Sequence, residues 1–126
     1  MQKIITLLLM IVGVIHLLPL YGVLGGDQLS ALYGLPLQES NISILMRHRA
    51  VLFGIFGVFF LYSAFNKQYQ PLAFIIGFIS VISFIALSWS AGNYNDAIYN
   101  VVIADIVALI CLLIAVVLYM ITSRNN

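Results

Sequence analysis

The chain has 126 residues and a formal net charge of +1, with 63% hydrophobic and only 7% charged side chains, and its mean hydropathy is +1.13. Soluble domains carry roughly a quarter charged residues. So few charges cannot solvate the exterior of a 14.0 kDa domain, and the chain is expected to face lipid over most of its surface. The charge balance offers no basic stripe or acidic tail, so neither nucleic acid nor another polyanionic partner is expected. The single cysteine, Cys111, rules out an internal disulfide, a zinc ribbon and CxxC redox chemistry.

Four apolar stretches, at about 4–24, 42–65, 71–90 and 98–121, alternate with the polar clusters of the chain. Each is long enough to cross a ~30 Å hydrocarbon core at ~1.5 Å rise per residue. Together they predict one all-α transmembrane domain over residues 1–126, an integral membrane four-helix bundle. The first stretch exceeds the ~7–15 apolar residues of a secretory signal and lacks a small-x-small cleavage site, so it reads as a retained span. Within it, Pro19 removes an N–H and is expected to leave the Ile15 carbonyl unbonded beside His16.

The first connection, residues 25–41, holds Asp27 as an N-cap candidate, then Leu29, Leu32 and Tyr33 at helical spacing, then Gly34 and Pro36 as stop signals. This pattern predicts a short interfacial helix between spans one and two. Ser40 or Asn41 is the expected cap of the second span. The other two connections, 66–70 and 91–97, are short, which predicts that spans two and three, and spans three and four, are antiparallel neighbours.

Lys3, Lys67 and Arg124 fall on one side of an even number of spans, whereas the opposite connections hold Asp27, Glu39 and Asp96. By the positive-inside rule both termini are expected in the cytoplasm, although Arg47 and Arg49 count for the other side. Small residues supply plausible contact faces: Ala50, Gly54 and Gly57 in span two, Ala73, Gly77 and Ser80 in span three, and Ala104, Ala108, Cys111 and Ala115 in span four. Such faces let backbones approach closely in lipid.

Ionisable groups within spans are costly and tend to meet partners or water. Here they are His16 in span one, the run Arg47-His48-Arg49 in span two, and Asp105 in span four. His16, Arg49 and Asp105 each lie about two helical turns, or ~10–12 Å, in from the face opposite the termini. Arg47 and Arg49 are separated by two ~100° steps and cannot both face inward. Arg49 is the deeper and is expected to turn in, while Arg47 is expected to snorkel or to meet Glu39. Two uses of this layer follow: a register-fixing Arg49–Asp105 bridge with His16 satisfied by a carbonyl or water, or a pocket for a small polar or anionic ligand. No HxxxH or ExxH spacing supports a metal site from His16, His48 and Asp105. Tyr21, Tyr94 and Tyr99 suit an aromatic interface belt.

The layout, with its longer first connection and the stretch Leu45-Met46-Arg47-His48-Arg49-Ala50-Val51-Leu52-Phe53-Gly54 opening span two, resembles small bacterial inner-membrane proteins that are DoxX-like in outline. The resemblance implies a four-span inner-membrane protein and carries over no catalytic residue. Some proteins of this appearance bear the label phosphopantetheine adenylyltransferase. That soluble enzyme needs an HxGH motif, and the two histidines here stand singly in apolar spans, so adenylyl transfer is not expected. No Gly-rich phosphate loop is present and no cofactor is expected. Small multidrug exporters carry a buried glutamate in span one, where this chain has only His16. The sequence thus favours a non-enzymatic accessory or small-ligand-binding component, alone, as a homo-oligomer or with a membrane partner. The alternative is a membrane enzyme or small transporter using His16 or Asp105 to handle protons.

Overall fold

A computed structural model describes residues 1–37 and 39–125. It contains helices α1 (Gln2–Leu17), α2 (Gly26–Tyr33), α3 (Ser40–Phe65), α4 (Gln70–Ala91) and α5 (Asp96–Arg124), with 3-10 segments at Leu18–Leu24 and Lys67–Tyr69 and no strand among the described residues. Four continuous helical stretches, Gln2–Leu24, Ser40–Phe65, Lys67–Ala91 and Asp96–Arg124, are long and apolar enough to cross a membrane. Their outward faces carry Leu7, Val58, Ile75, Ile79 and Leu113, with Val58 60% and Ile79 65% exposed. An apolar exterior of that extent suits lipid and not water. This is a multi-pass membrane protein.

Local chemistry explains the boundaries. Pro19 cannot continue an α-helix, because its ring would collide with the carbonyl one turn back, so the chain tightens into a 3-10 segment with Pro19 in its first turn. The first span is therefore α-helical only to Leu17. The Ile15 carbonyl is not left unbonded, since the Leu18 N–H donates to it and to Val14. The N-cap of α2 is Gly25 and not the expected Asp27, which lies within the first turn, where a carboxylate suits the helix dipole. Gly34 ends α2 in the left-handed conformation, φ 65°, which glycine adopts without the penalty a Cβ imposes.

The cap of α3 is neither Ser40 nor Asn41. Glu39 takes the position, its carboxylate accepting from the Asn41 N–H at 3.1 Å and the Ile42 N–H at 2.8 Å. Those backbone bonds favour the ionised form and hold the Glu39 carboxyl below the usual glutamate range. Pro71 stands in the first turn of α4, where its missing N–H costs nothing. Asn95 caps α5 by accepting from the Ile98 N–H at 2.8 Å.

Helices α1 and α3 are antiparallel and pack closely, as are α4 and α5, and α1 also packs along α5. The Thr6 hydroxyl donates to the Ala64 carbonyl at 2.9 Å, near the end that holds both termini. Further along, α1 and α3 cross at glycines: a Cβ on Gly57 would lie 2.9 Å from the Gly13 carbonyl oxygen, and one on Gly13 would lie 3.1 Å from the Gly57 carbonyl oxygen. The two backbones touch there because neither carries a side chain. By contrast, α3 and α4 make little contact despite their short connection. The expectation that a short link makes close neighbours holds for α4 and α5 and fails for α3 and α4.

The main core fills the terminal half, joining Ile5, Leu9 and Val12 of α1 to Phe60 of α3, Phe74 and Val81 of α4, and Ala108 and Leu112 of α5. Cys111 is buried among them. A second cluster at the far end sets Leu29, Tyr33 and Leu37 against Met46, Ile98 and Val101. Between the two the packing opens.

Candidate functional site

That opening is a cavity of about 310 Å³ whose wall includes His16, Tyr33, Arg49, Phe53, Phe84, Asn100 and Asp105. Four elements contribute polar groups: His16 from α1, Tyr33 from α2, Arg49 from α3, and Asn100 and Asp105 from α5. The remainder of the wall is apolar, drawn from Ile15, Leu18, Pro19, Leu32 and Val101 among others. A few convergent polar groups in an apolar concavity is the usual form of a small-molecule site.

His16 is 1% exposed. Its Nδ1 lies 2.9 Å from the Val12 carbonyl oxygen and its Nε2 lies 3.0 Å from the Ser80 hydroxyl. A carbonyl only accepts, so Nδ1 carries the proton, and in the neutral ring Nε2 accepts from Ser80. The ring also meets the edge of Phe60 at 4.7 Å between centroids. Through this bond α1 is tied to α4, a helix it otherwise scarcely touches.

Arg49 points into the cavity and is surrounded by aromatic faces. Its guanidinium carbon lies 4.9 Å from the Phe53 ring centroid, 5.5 Å from Tyr33 and 5.6 Å from Phe84. One guanidinium nitrogen donates to the Tyr33 hydroxyl at 3.0 Å. Ring quadrupoles stabilise a cation without neutralising it, so the positive charge is held in place and remains available on the cavity side.

Asp105 is 7% exposed and lies on the same wall. Among the described residues its carboxyl has neither a hydrogen-bond donor nor an ion-pair partner within 4.0 Å. The expected Arg49–Asp105 bridge is not formed. Arg49 acts on Asp105 electrostatically without an ion pair, while its own direct contacts are with Tyr33, Phe53 and Phe84.

Comparison with known proteins returned no match: no family model, no curated protein and no solved structure.

Arg47 and His48 lie outside it. The Arg47 Nε donates to the Val23 carbonyl at 2.8 Å, fastening α3 to the 3-10 segment, and does not meet Glu39, whose oxygens are engaged in capping. His48 is exposed and does not line the cavity, so it does not join His16 and Asp105. Among the described residues no three His, Cys, Asp or Glu side chains converge as metal ligands.

Sequence reasoning missed Tyr33, Phe53, Phe84 and Asn100 on the wall of this site, and Ser80 as the partner of His16. Phe53 follows Arg49 by one helical turn, a spacing that brings side chains together, and was readable. Tyr33, Phe84 and Ser80 come from other elements, and no local pattern pairs them with Arg49 or His16. The roof of the cavity is also a tertiary product. Asn95, while capping α5, donates its Nδ2 to the carbonyls of Tyr33 at 2.7 Å and Gly34 at 3.3 Å, and so holds the end of α2 over the opening.

Proposed function

We propose that this chain is a four-helix-bundle protein of a bacterial inner membrane, DoxX-like in outline, that serves as an accessory or small-ligand-binding component. Its site is the cavity bordered by His16, Arg49 and Asp105, with α2 lying at the membrane interface above it. Lys3, Lys67 and Arg124 on the side of the termini, against Asp27, Glu39 and Asp96 on the other, support cytoplasmic termini. The cavity then opens towards the non-cytoplasmic side.

One observation carries the reading: Asp105 is nine-tenths buried, borders the cavity, and has no direct protein partner among the described residues. A buried carboxyl without a partner is costly as an anion, and either a ligand donor or a proton relieves that cost. A purely structural carboxylate would be expected to bridge Arg49, whereas a ligand-binding one awaits a donor. Proton handling in an enzyme or transporter is the second use such a group allows. It would rest on Asp105 alone, since both ring nitrogens of His16 are engaged.

The test is unbiased mass spectrometry of small molecules that copurify with the chain from native membranes. A ligand is expected with the wild-type protein and is expected to be lost from a folded Asp105→Asn variant. Identical small-molecule profiles for the two proteins would overturn the proposal.

A further inference from the structure

A second cavity, of about 410 Å³, lies between α3 and α4 and shares three wall residues with the first: Arg49, Phe53 and Phe84. The divider is made of side chains and not of backbone. The cleft exists because α3 and α4 diverge beyond their connection. From Arg49 it extends to Phe56 and from Phe84 to Ile76, which is ~10–12 Å along each helix at 1.5 Å per residue. That direction runs from the ionisable layer towards the middle of the four spans.

The cleft wall is apolar apart from Arg49 at one end and two serines. Neither serine offers much to a ligand: Ser80 bonds to His16 at 3.0 Å, and the Ser83 hydroxyl donates to the Ser80 carbonyl at 3.0 Å. The neighbouring cavity contains a carboxyl, Asp105, with no direct partner among the described residues, and a cation, Arg49, that are not paired with one another. A molecule complementary to both carries a positive donor group and a negative group. One that also fills the cleft carries a hydrocarbon chain.

We infer that the ligand is a zwitterionic amphiphile, its ammonium group at Asp105, its anionic group at Arg49 and its hydrocarbon chain in the cleft between α3 and α4. This rests on the reading of the cavity as a ligand site. The charged layer and the direction of the cleft give the bound molecule the same orientation as a lipid in the surrounding leaflet, with its head towards the outer end and its chain towards the midplane. Entry is lateral, between α3 and α4, where contacts are sparse.

Native mass spectrometry of the full chain, with phosphatidylethanolamine, phosphatidylcholine, phosphatidylglycerol and free phosphoethanolamine as probes, tests this. Phosphatidylethanolamine is expected to bind about tenfold more tightly than phosphatidylglycerol, which lacks the ammonium, and more tightly than phosphatidylcholine, which lacks its N–H donors. The preference is expected to vanish in Asp105→Asn. Filling the cleft with Ser83→Trp is expected to weaken the lipid and to leave free phosphoethanolamine unaffected. Equal binding of the three lipids by the wild-type chain would overturn the zwitterion assignment, whether or not either variant folds. If free phosphoethanolamine bound as tightly as the lipid, the hydrocarbon chain would have no place in the cleft, yet the cavity would stand as a polar-ligand site. Binding of none of the probes would overturn the amphiphile, and the copurification experiment would then decide separately on the cavity.

Discussion

At the residue scale the notable pair is Arg49 and Asp105, two opposite charges that border one cavity without touching. Arg49 is instead tied to Tyr33 and ringed by Tyr33, Phe53 and Phe84. A cation among three aromatic rings keeps much of its stabilisation when a carboxylate it does not bond is removed. Asp105→Asn takes away a buried ionisable group without breaking a direct bond, so the melting temperature of the purified protein is expected to hold or rise. A loss of more than about 2 kcal/mol in thermal or denaturant unfolding, the kind of cost that follows breaking a buried pair, would show that Asp105 is a structural partner after all. The depth count along the sequence put His16, Arg49 and Asp105 at one level because rise per residue is fixed. It could not say which way each side chain turns or that Tyr33 reaches Arg49 first, since those depend on how separate helices rotate against one another.

At the element scale, the stability of the α1–α3 pair concentrates where Gly13 and Gly57 meet. Gly57→Val places a branched side chain against the Gly13 carbonyl and the Leu17 side chain, at 2.9 Å and 2.6 Å for the first carbon alone. The backbone neighbour cannot swing away, so a cost of about 1–3 kcal/mol is expected from overpacking, read as a lowered unfolding midpoint with Gly57→Ala in between. A midpoint equal to that of the wild type would mean that the helices do not cross there.

The start of α3 is expected to depend on pH through Glu39. Its carboxyl titrates below the ordinary glutamate value because the ionised form accepts from the Asn41 and Ile42 amides. The contribution is fully present above the unfolded-state value and is lost as pH falls through the lower folded-state value. Amide exchange at Asn41 and Ile42, corrected for its intrinsic pH dependence, should therefore accelerate relative to the rest of α3 on acidification. The same comparison in Glu39→Gln should show no such step; a step that persists there would assign the effect to another group.

At the scale of the whole molecule, membrane orientation is open to a direct measurement. In a Cys111→Ser background, Asn93→Cys is expected to react with an impermeant maleimide from outside intact cells, and Asn125→Cys only after permeabilisation. The opposite labelling pattern would invert the proposed orientation and direct the cavity to the cytoplasm. Cys111 itself, buried in the core, is expected to stay unlabelled until the protein unfolds.

Four long apolar helices able to cross a membrane, the polar connections between them and the small-residue faces that turn inward were all legible in the chain. Ala50, Gly57, Ala73, Gly77, Ala108 and Ala115 are all buried. These properties are local: hydropathy over a window and periodicity around one axis are present in the chain before it folds. The packing of α1 against α3 and α5, the cleft between α3 and α4, and the contact of Arg49 with aromatic rings and not with Asp105 emerge only in three dimensions. Those outcomes depend on side chains from helices distant in sequence competing for the same space, which neither connection length nor depth along a span records.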